Sequence, residues 1–96
     1  VAGAQVLVTG GTSGIGRAAA TELAGRGAAV MITARDQQKG RQAAAAILAD
    51  AGVEVEVGLL DLSSLDSVRR FAAAFLATHD RLDVLVNSTV DWPVAG

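Results

Sequence analysis

The sequence predicts an α/β fold, a three-layer doubly wound parallel sheet. Two observations predict this class. Short aliphatic runs of strand length alternate with alanine-rich stretches at helical spacing along the 96 residues. A glycine-rich segment follows the first of these runs directly. Because crossover helices join consecutive parallel strands, the alternation indicates a single, partial domain over residues 1–96 with strand order 3-2-1-4.

Each predicted helix has a start or stop signal. Glycines on either side of Arg26 stop the first helix, Gly52 stops the second, and Ser64 supplies a capping oxygen for the third. The predicted strands are residues 5–9 (QVLVT), 29–33 (AVMIT), 53–60 (VEVEVGLL) and 84–86 (VLV). The predicted helices are residues 15–24, 38–51 and 64–79.

Charge and composition exclude several classes of function. The formal net charge is −2 without a basic run, which argues against nucleic acid or an anionic membrane as a partner. The sequence has no cysteine and one histidine, so neither a disulfide framework nor a histidine cluster can form. No apolar run reaches the ~18 residues of a membrane span. We therefore expect a cytoplasmic protein that binds a small ligand or another protein.

The glycine-rich segment VTGGTSGIGRA lies where the first strand gives way to the first helix. Gly10 permits backbone angles closed to other residues, Gly14 lets the main chain approach a ligand, and Gly16 lets the helix pack against the sheet. The unpaired amides at the start of that helix attract a phosphate. We predict that a dinucleotide diphosphate binds at Gly10, Thr12, Ser13, Gly14, Ile15 and Gly16.

Three stretches carry a resemblance to a known family. Residues 9–16 match the signature T-G-x-x-x-G-I-G of the short-chain dehydrogenase/reductase family letter for letter. The stretches TARDQQKG and LLDLSSLDSVRRF resemble the retinol-dehydrogenase-like branch of that family. The resemblance covers about residues 3–87 and is lost in the tail, residues 88–96. It implies a Rossmann domain that binds NAD or NADP.

The end of the second strand decides which dinucleotide is expected. Arg35 is the first charged side chain after that strand, and a guanidinium there would pair with the 2′-phosphate of NADP. Asp36 could instead accept hydrogen bonds from the ribose of NAD, although a helix N-cap is the more frequent role for it. We therefore expect NADP, with NAD as the alternative.

The family resemblance implies further contacts to the dinucleotide. Asp61, after the third strand, matches the acid that accepts a hydrogen bond from the adenine amino group, and Leu62 beside it supplies backbone contacts. Asn87 matches the first asparagine of the N-N-A-G motif, which continues here as Ser-Thr-Val. A turn or helix-entry role for Asp61 is an equally good interpretation.

The family's catalytic tyrosine has no counterpart in this sequence. The resemblance implies a tyrosine that moves the substrate proton, a lysine four residues later and a serine, whereas the sequence contains no tyrosine. We expect the NADP-binding portion of an oxidoreductase that acts on alcohols or carbonyls, without turnover of its own. The alternatives are a catalytically silent dinucleotide-binding module and a structural fragment that binds nothing.

Packing around the fourth strand indicates a truncated molecule. Two of the predicted helices cover one face of the sheet, one covers the other face, and the fourth strand lies at an open edge. We expect an exposed apolar patch there, which self-association or a missing C-terminal half would cover.

Overall fold

The computed structural model of the chain describes residues 2–11 and 14–87, and the four strands within them form one parallel sheet. The strands are β1 (Gln5–Thr9), β2 (Ala29–Ala34), β3 (Glu56–Leu59) and β4 (Val84–Asn87). β1 pairs with β2 and with β4, and β2 pairs with β3. The order β3-β2-β1-β4 confirms the predicted topology.

The described residues form three helices: α1 (Gly14–Gly25), α2 (Gln37–Ala51) and α3 (Leu65–Thr78). Asp36 caps α2 by accepting a hydrogen bond from the Gln38 amide, and Gly52 ends it in the left-handed conformation with φ 73°. Ser64 caps α3 by accepting from the Ser67 amide. None of these helices, in the part of the chain described, is long and apolar enough to cross a membrane.

Alternate residues of the strands face two separate apolar clusters. The larger cluster lies beneath α1 and α2 and consists of Val6, Val8, Ala20, Ala24, Ala28, Val30, Ile32, Ala43 and Ile47. The smaller cluster lies beneath α3 and consists of Leu7, Met31 and Phe75, with Phe71 packed against it. Since successive side chains of a strand point to opposite faces, α1 and α2 cover one face of the sheet and α3 covers the other.

β3 is shorter than predicted. The alternating run predicts a strand over residues 53–60, but the paired strand begins at Glu56 and ends at Leu59. The chain leaves α2 through the left-handed turn at Gly52 and uses residues 53–55 to return to the edge of the sheet. An alternating pattern alone does not show where such a return ends and pairing starts.

Gly11 packs its backbone directly against β2. A Cβ added there would lie 2.7 Å from Cγ2 and 2.8 Å from Cβ of Ile32, which is fully buried. Gly11→Ala is therefore expected to lower the free energy of unfolding by about 1–3 kcal/mol, because the strand must shift. Gly25→Ala is the control, since a Cβ there would make only an ordinary contact, 3.9 Å from Ala51. Urea unfolding compares the two variants, and equal stability would contradict this close packing.

A histidine joins the end of α3 to β3. The His79 ring stacks on Phe75 with ring centroids 4.3 Å apart, and its side chain is 9% exposed. Its Nε2 lies 2.9 Å from the Glu56 carboxylate, and its Nδ1 lies 3.2 Å from the Phe75 carbonyl oxygen. The hydrogen bond to Glu56 is the main reason that the pKa of His79 is raised, and burial opposes this effect.

The raised pKa of His79 predicts that α3 is held more firmly in mild acid. The stabilisation is present below the ordinary histidine pKa of 6.5 and is lost as pH rises through the folded-state pKa. The free energy of unfolding should therefore fall as the pH rises from about 6 to about 8, relative to that of His79→Gln. Urea unfolding of both proteins across this range measures the fall. If the difference in the free energy of unfolding between the two proteins stays constant with pH, the contact with Glu56 does not form in solution.

Among residues 2–11 and 14–87, the sheet face beneath α3 is only partly covered. Leu85 of β4 pairs with Leu7 of β1 in the register and is 58% exposed, and Leu76 of α3 is 73% exposed. The exposure of Leu85 agrees with the expected apolar patch beside β4. Self-association and a missing C-terminal half stay predictions.

Candidate functional site

The candidate site lies at the carboxyl ends of the strands. β2 and β3 are added one after the other on one side of β1. β4 then pairs with the other side of β1, so the strand order reverses there. In doubly wound sheets, ligands bind in the crevice that this reversal of strand order leaves. The start of α1 and the ends of β1 and β4 border the crevice.

Two glycines of the corner have backbone angles that other residues rarely adopt, as was expected for Gly10. Gly10 has φ 71° and Gly14 has φ 61°, both in the left-handed region that favours glycine. A Cβ at Gly14 would meet no atom of the described residues within 4 Å, so among them the backbone there borders open space. Gly16 is buried within the first turn of α1, and Ile15 beside it is exposed. The corner thus combines a buried helix contact with an open approach to the backbone.

The start of α1 has the electrostatics of an anion site. The first amides of a helix lack intrahelical partners, and the helix end carries a partial positive charge. The first turn of α1 holds no acidic side chain, and Arg17 adds a positive charge. With the open space at Gly14, this corner fits a diphosphate group. Thr12 and Ser13, which were predicted to take part, lie outside the described residues.

A threonine of β2 also reaches the corner. The Gly10 amide donates a 3.2 Å hydrogen bond to Oγ1 of Thr33, a residue that is 3% exposed. Thr33 was not predicted as a site residue, because a β-branched residue is ordinary in a buried strand. The signal that could have found it is a hydroxyl near the end of an otherwise apolar run.

Two charged residues follow β2: Arg35, whose side chain is exposed, and Asp36, whose side chain caps α2. Asp36 accepts a 2.8 Å hydrogen bond from the Gln38 amide, which confirms its interpretation as a helix N-cap. Arg35 precedes it and is exposed. The positive charge of Arg35 contributes to the lowered pKa of Asp61, so the two side chains are electrostatic neighbours. A cation therefore stands at the position where the second strand ends.

Asp61 follows β3 and organises the entry to α3. Its carboxylate accepts hydrogen bonds from the Ser63 hydroxyl at 2.6 Å and from the Ser63 amide at 3.0 Å. These bonds, and to a smaller extent the charge of Arg35, lower the pKa of Asp61. The turn role of Asp61 is thus confirmed, while its contact with adenine stays a prediction. Leu62 beside it is exposed.

Asn87 borders the crevice on the β4 side. It lies opposite Thr9 in the parallel register, and the Thr9 hydroxyl donates a 3.2 Å hydrogen bond to its Oδ1. This bond joins the ends of β1 and β4 next to Gly10. Residues 88–90, where the sequence departs from N-N-A-G, lie outside the described residues.

The structure divides the predicted residues between two areas of this edge. The corner area contains Gly10, Gly14, Ile15, Gly16 and Asn87. The area beyond the ends of β2 and β3 contains Arg35, Asp61 and Leu62. Gly11, which was not predicted as a site residue, packs the corner onto Ile32.

Comparison with known proteins identifies one family. Residues 4–90 match the family described as short chain dehydrogenase. Dehydrogenase/reductase SDR family member 13 of Homo sapiens is 47% identical over 87 residues, which are 90% of this chain and 23% of that protein. Retinol dehydrogenase 12 of Mus musculus is 46% identical over 89 residues, which are 92% of this chain and 28% of that protein. The chain thus spans about a quarter of the length of these relatives.

Solved structures share the fold. A metagenomic short-chain oxidoreductase in complex with NADP has a TM-score of 0.79 and 45% identity, over 88% of this chain and 38% of its own. The RhlG/NADP active-site complex of Pseudomonas aeruginosa has a TM-score of 0.82 and 40% identity, over 92% of this chain and 35% of its own. The chain therefore belongs to the short-chain dehydrogenase/reductase family and resembles its retinol-dehydrogenase-like branch.

Proposed function

We propose that this chain is the NADP-binding portion of an oxidoreductase that transfers a hydride between the dinucleotide and an alcohol or carbonyl group. The observation that carries the proposal is the corner at Gly14. There a left-handed glycine borders open space at the start of a helix whose first turn holds no acidic side chain. The NADP bound in two solved relatives supports the choice of ligand.

The diphosphate is assigned to the first turn of α1. Backbone amides of that turn donate to phosphate oxygens, and the partial charge of the helix end adds to the attraction. Glycine at the corner keeps side chains out of the space that the phosphates need. The residues assigned to this contact are Gly10, Gly14, Ile15 and Gly16, together with Thr12 and Ser13 between them.

Arg35 is assigned to the 2′-phosphate that distinguishes NADP from NAD. Its guanidinium is exposed directly after β2 and can pair with a phosphate through two hydrogen bonds. Asp36 is the N-cap of α2 and accepts from the Gln38 amide through Oδ1, so its carboxylate is held at the start of that helix. The charge at this position therefore favours NADP.

Asp61, Leu62 and Asn87 are assigned to the two ends of the dinucleotide. The pKa of Asp61 lies below an ordinary value that is already acidic, so its carboxylate is ionised at neutral pH, as an acceptor for the adenine amino group needs. Leu62 lies beside it and offers backbone contacts. Asn87 accepts a hydrogen bond from Thr9 at the end of β4, and we assign it to the nicotinamide half.

Substrate chemistry is assigned to residues other than these. The dinucleotide supplies or accepts the hydride, and the residues named above hold and orient it. The sequence contains no tyrosine, so the family's proton transfer has no donor among these 96 residues. We expect this chain to bind NADPH without oxidising it in the presence of aldehydes or ketones.

Titration of the chain with NADPH, followed by the fluorescence of the nucleotide, tests the proposal. The expected result is saturable binding that NADH displaces poorly. Equally tight binding of NADH would leave the dinucleotide site in place and contradict the assignment of Arg35. No saturable binding of either nucleotide would contradict the proposal and favour a structural fragment that binds nothing.

A further inference from the structure

The glycine corner is held by a side chain of the neighbouring strand. β1 ends at Thr9, and Gly10 then turns away with φ 71°. The Gly10 amide donates to Oγ1 of Thr33 at 3.2 Å, so its partner is a side-chain hydroxyl. The direction that the chain takes from β1 towards α1 is therefore tied to one hydroxyl of β2.

Thr33 is firmly placed for this contact. Ile32 lies opposite Val8 in the parallel register, and Thr33 is the next residue along β2. It is 3% exposed, and its partner in β3 is Gly58. A β-branched side chain has few rotamers, so burial at this position fixes where the hydroxyl points.

We infer that Thr33 is a positioning residue for the bound diphosphate, acting through the amide of Gly10. By accepting from that amide, its hydroxyl holds Gly10 in the left-handed conformation that leads the chain to the open backbone at Gly14. Thr33 is buried, and no contact with the dinucleotide is assigned to it. This inference rests on the proposed function and adds a residue that determines how well the corner receives phosphate.

Two substitutions of Thr33 separate the effect of its hydroxyl from the effect of its side-chain shape. Thr33→Val keeps a β-branched shape but leaves the Gly10 amide without its acceptor. It is expected to weaken binding of NADP about tenfold, the effect of one lost hydrogen bond to a partly buried amide. Thr33→Ser keeps the hydroxyl and is expected to bind NADP nearly as well as the wild type. Thr78→Val is the control, because the Thr78 hydroxyl donates within α3 to the Ala74 carbonyl.

A second probe separates positioning from a general loss of structure. Adenosine 2′-monophosphate carries the adenine and the 2′-phosphate but no diphosphate, so it tests the area of Arg35 and Asp61 alone. Its affinity, measured by NMR chemical shifts, is expected to be the same in wild type and Thr33→Val. Hydrogen exchange of the Gly10 amide reports the contact itself, and we expect faster exchange in Thr33→Val with recovery in Thr33→Ser.

The outcomes distinguish this inference from the proposed function. If Thr33→Val binds NADP as tightly as the wild type, or loses both ligands equally, the inference is overturned while the NADP site stands. Unchanged exchange of the Gly10 amide also overturns it. If the wild-type chain binds no NADP, the proposed function fails and the inference fails with it. Should Thr33→Val not fold, Thr33→Ala removes the same hydroxyl and carries the same test.

Discussion

Gly14→Ala is expected to weaken NADPH binding at least tenfold, which corresponds to about 1.4 kcal/mol. Gly14 is left-handed, and no atom of the described part of the chain lies within 4 Å of the place where its Cβ would stand. The proposed diphosphate lies in that space, so a methyl group would hold the phosphate oxygens away from the amides of α1. Fluorescence titration of the wild type and the variant with NADPH measures the loss.

Gly52→Ala is the matched control for this substitution. Gly52 is also left-handed and would also place its Cβ in open space, but it ends α2 at the opposite edge of the sheet. Both substitutions therefore introduce the same kind of backbone strain, about 1–2 kcal/mol. We expect similar losses in the free energy of unfolding and a loss of NADPH affinity in Gly14→Ala alone. Equal affinities of the two variants for NADPH would contradict the assignment of the diphosphate to this corner.

Arg35→Ala is expected to abolish the preference for NADP over NAD. A charge-assisted hydrogen bond contributes about 1.5–3 kcal/mol, so the Kd for NADP should rise about ten- to a hundredfold. The Kd for NAD should not change, because NAD has no 2′-phosphate for the guanidinium to bind. Competition of each nucleotide against bound NADPH gives both values.

Arg69→Ala controls for the change in net charge. Arg69 is an exposed arginine of α3, on the other face of the sheet from α2, and its removal lowers the charge by the same amount. We expect it to leave both affinities unchanged. If Arg35→Ala loses NADP and NAD to the same extent, Arg35 supports the structure of the site and does not read the 2′-phosphate.

Most of the fold was predictable because its signals are local. Asp36, Gly52 and Ser64 each end or begin a helix through contacts within a few residues of themselves, and all three act where expected. The start of β3 was not predictable, because it depends on where the chain meets β2. Pairing from Glu56 onward is a property of the assembled sheet.

The same distinction applies to the candidate site. Gly10 was predictable because a left-handed turn at the end of a strand requires glycine whatever surrounds it, whereas the left-handed angle of Gly14 was not predicted. Thr33 lies 23 residues from Gly10 along the chain and reaches it only through the register of β1 and β2. The contact of Gly11 with Ile32 depends on the same register. Local spacing thus predicts where the corner is, and strand pairing decides what holds it.

The central claim is that the backbone amides at the start of α1 hold the diphosphate of NADP. A titration of the 15N-labelled chain with NADP, followed by amide NMR spectra, tests it most directly because each amide is observed separately. The account predicts saturable shifts that are largest at Gly10, Gly14, Ile15 and Gly16. Spectra in which these amides do not move at saturating NADP, or in which the shifts are confined to α3, would contradict it.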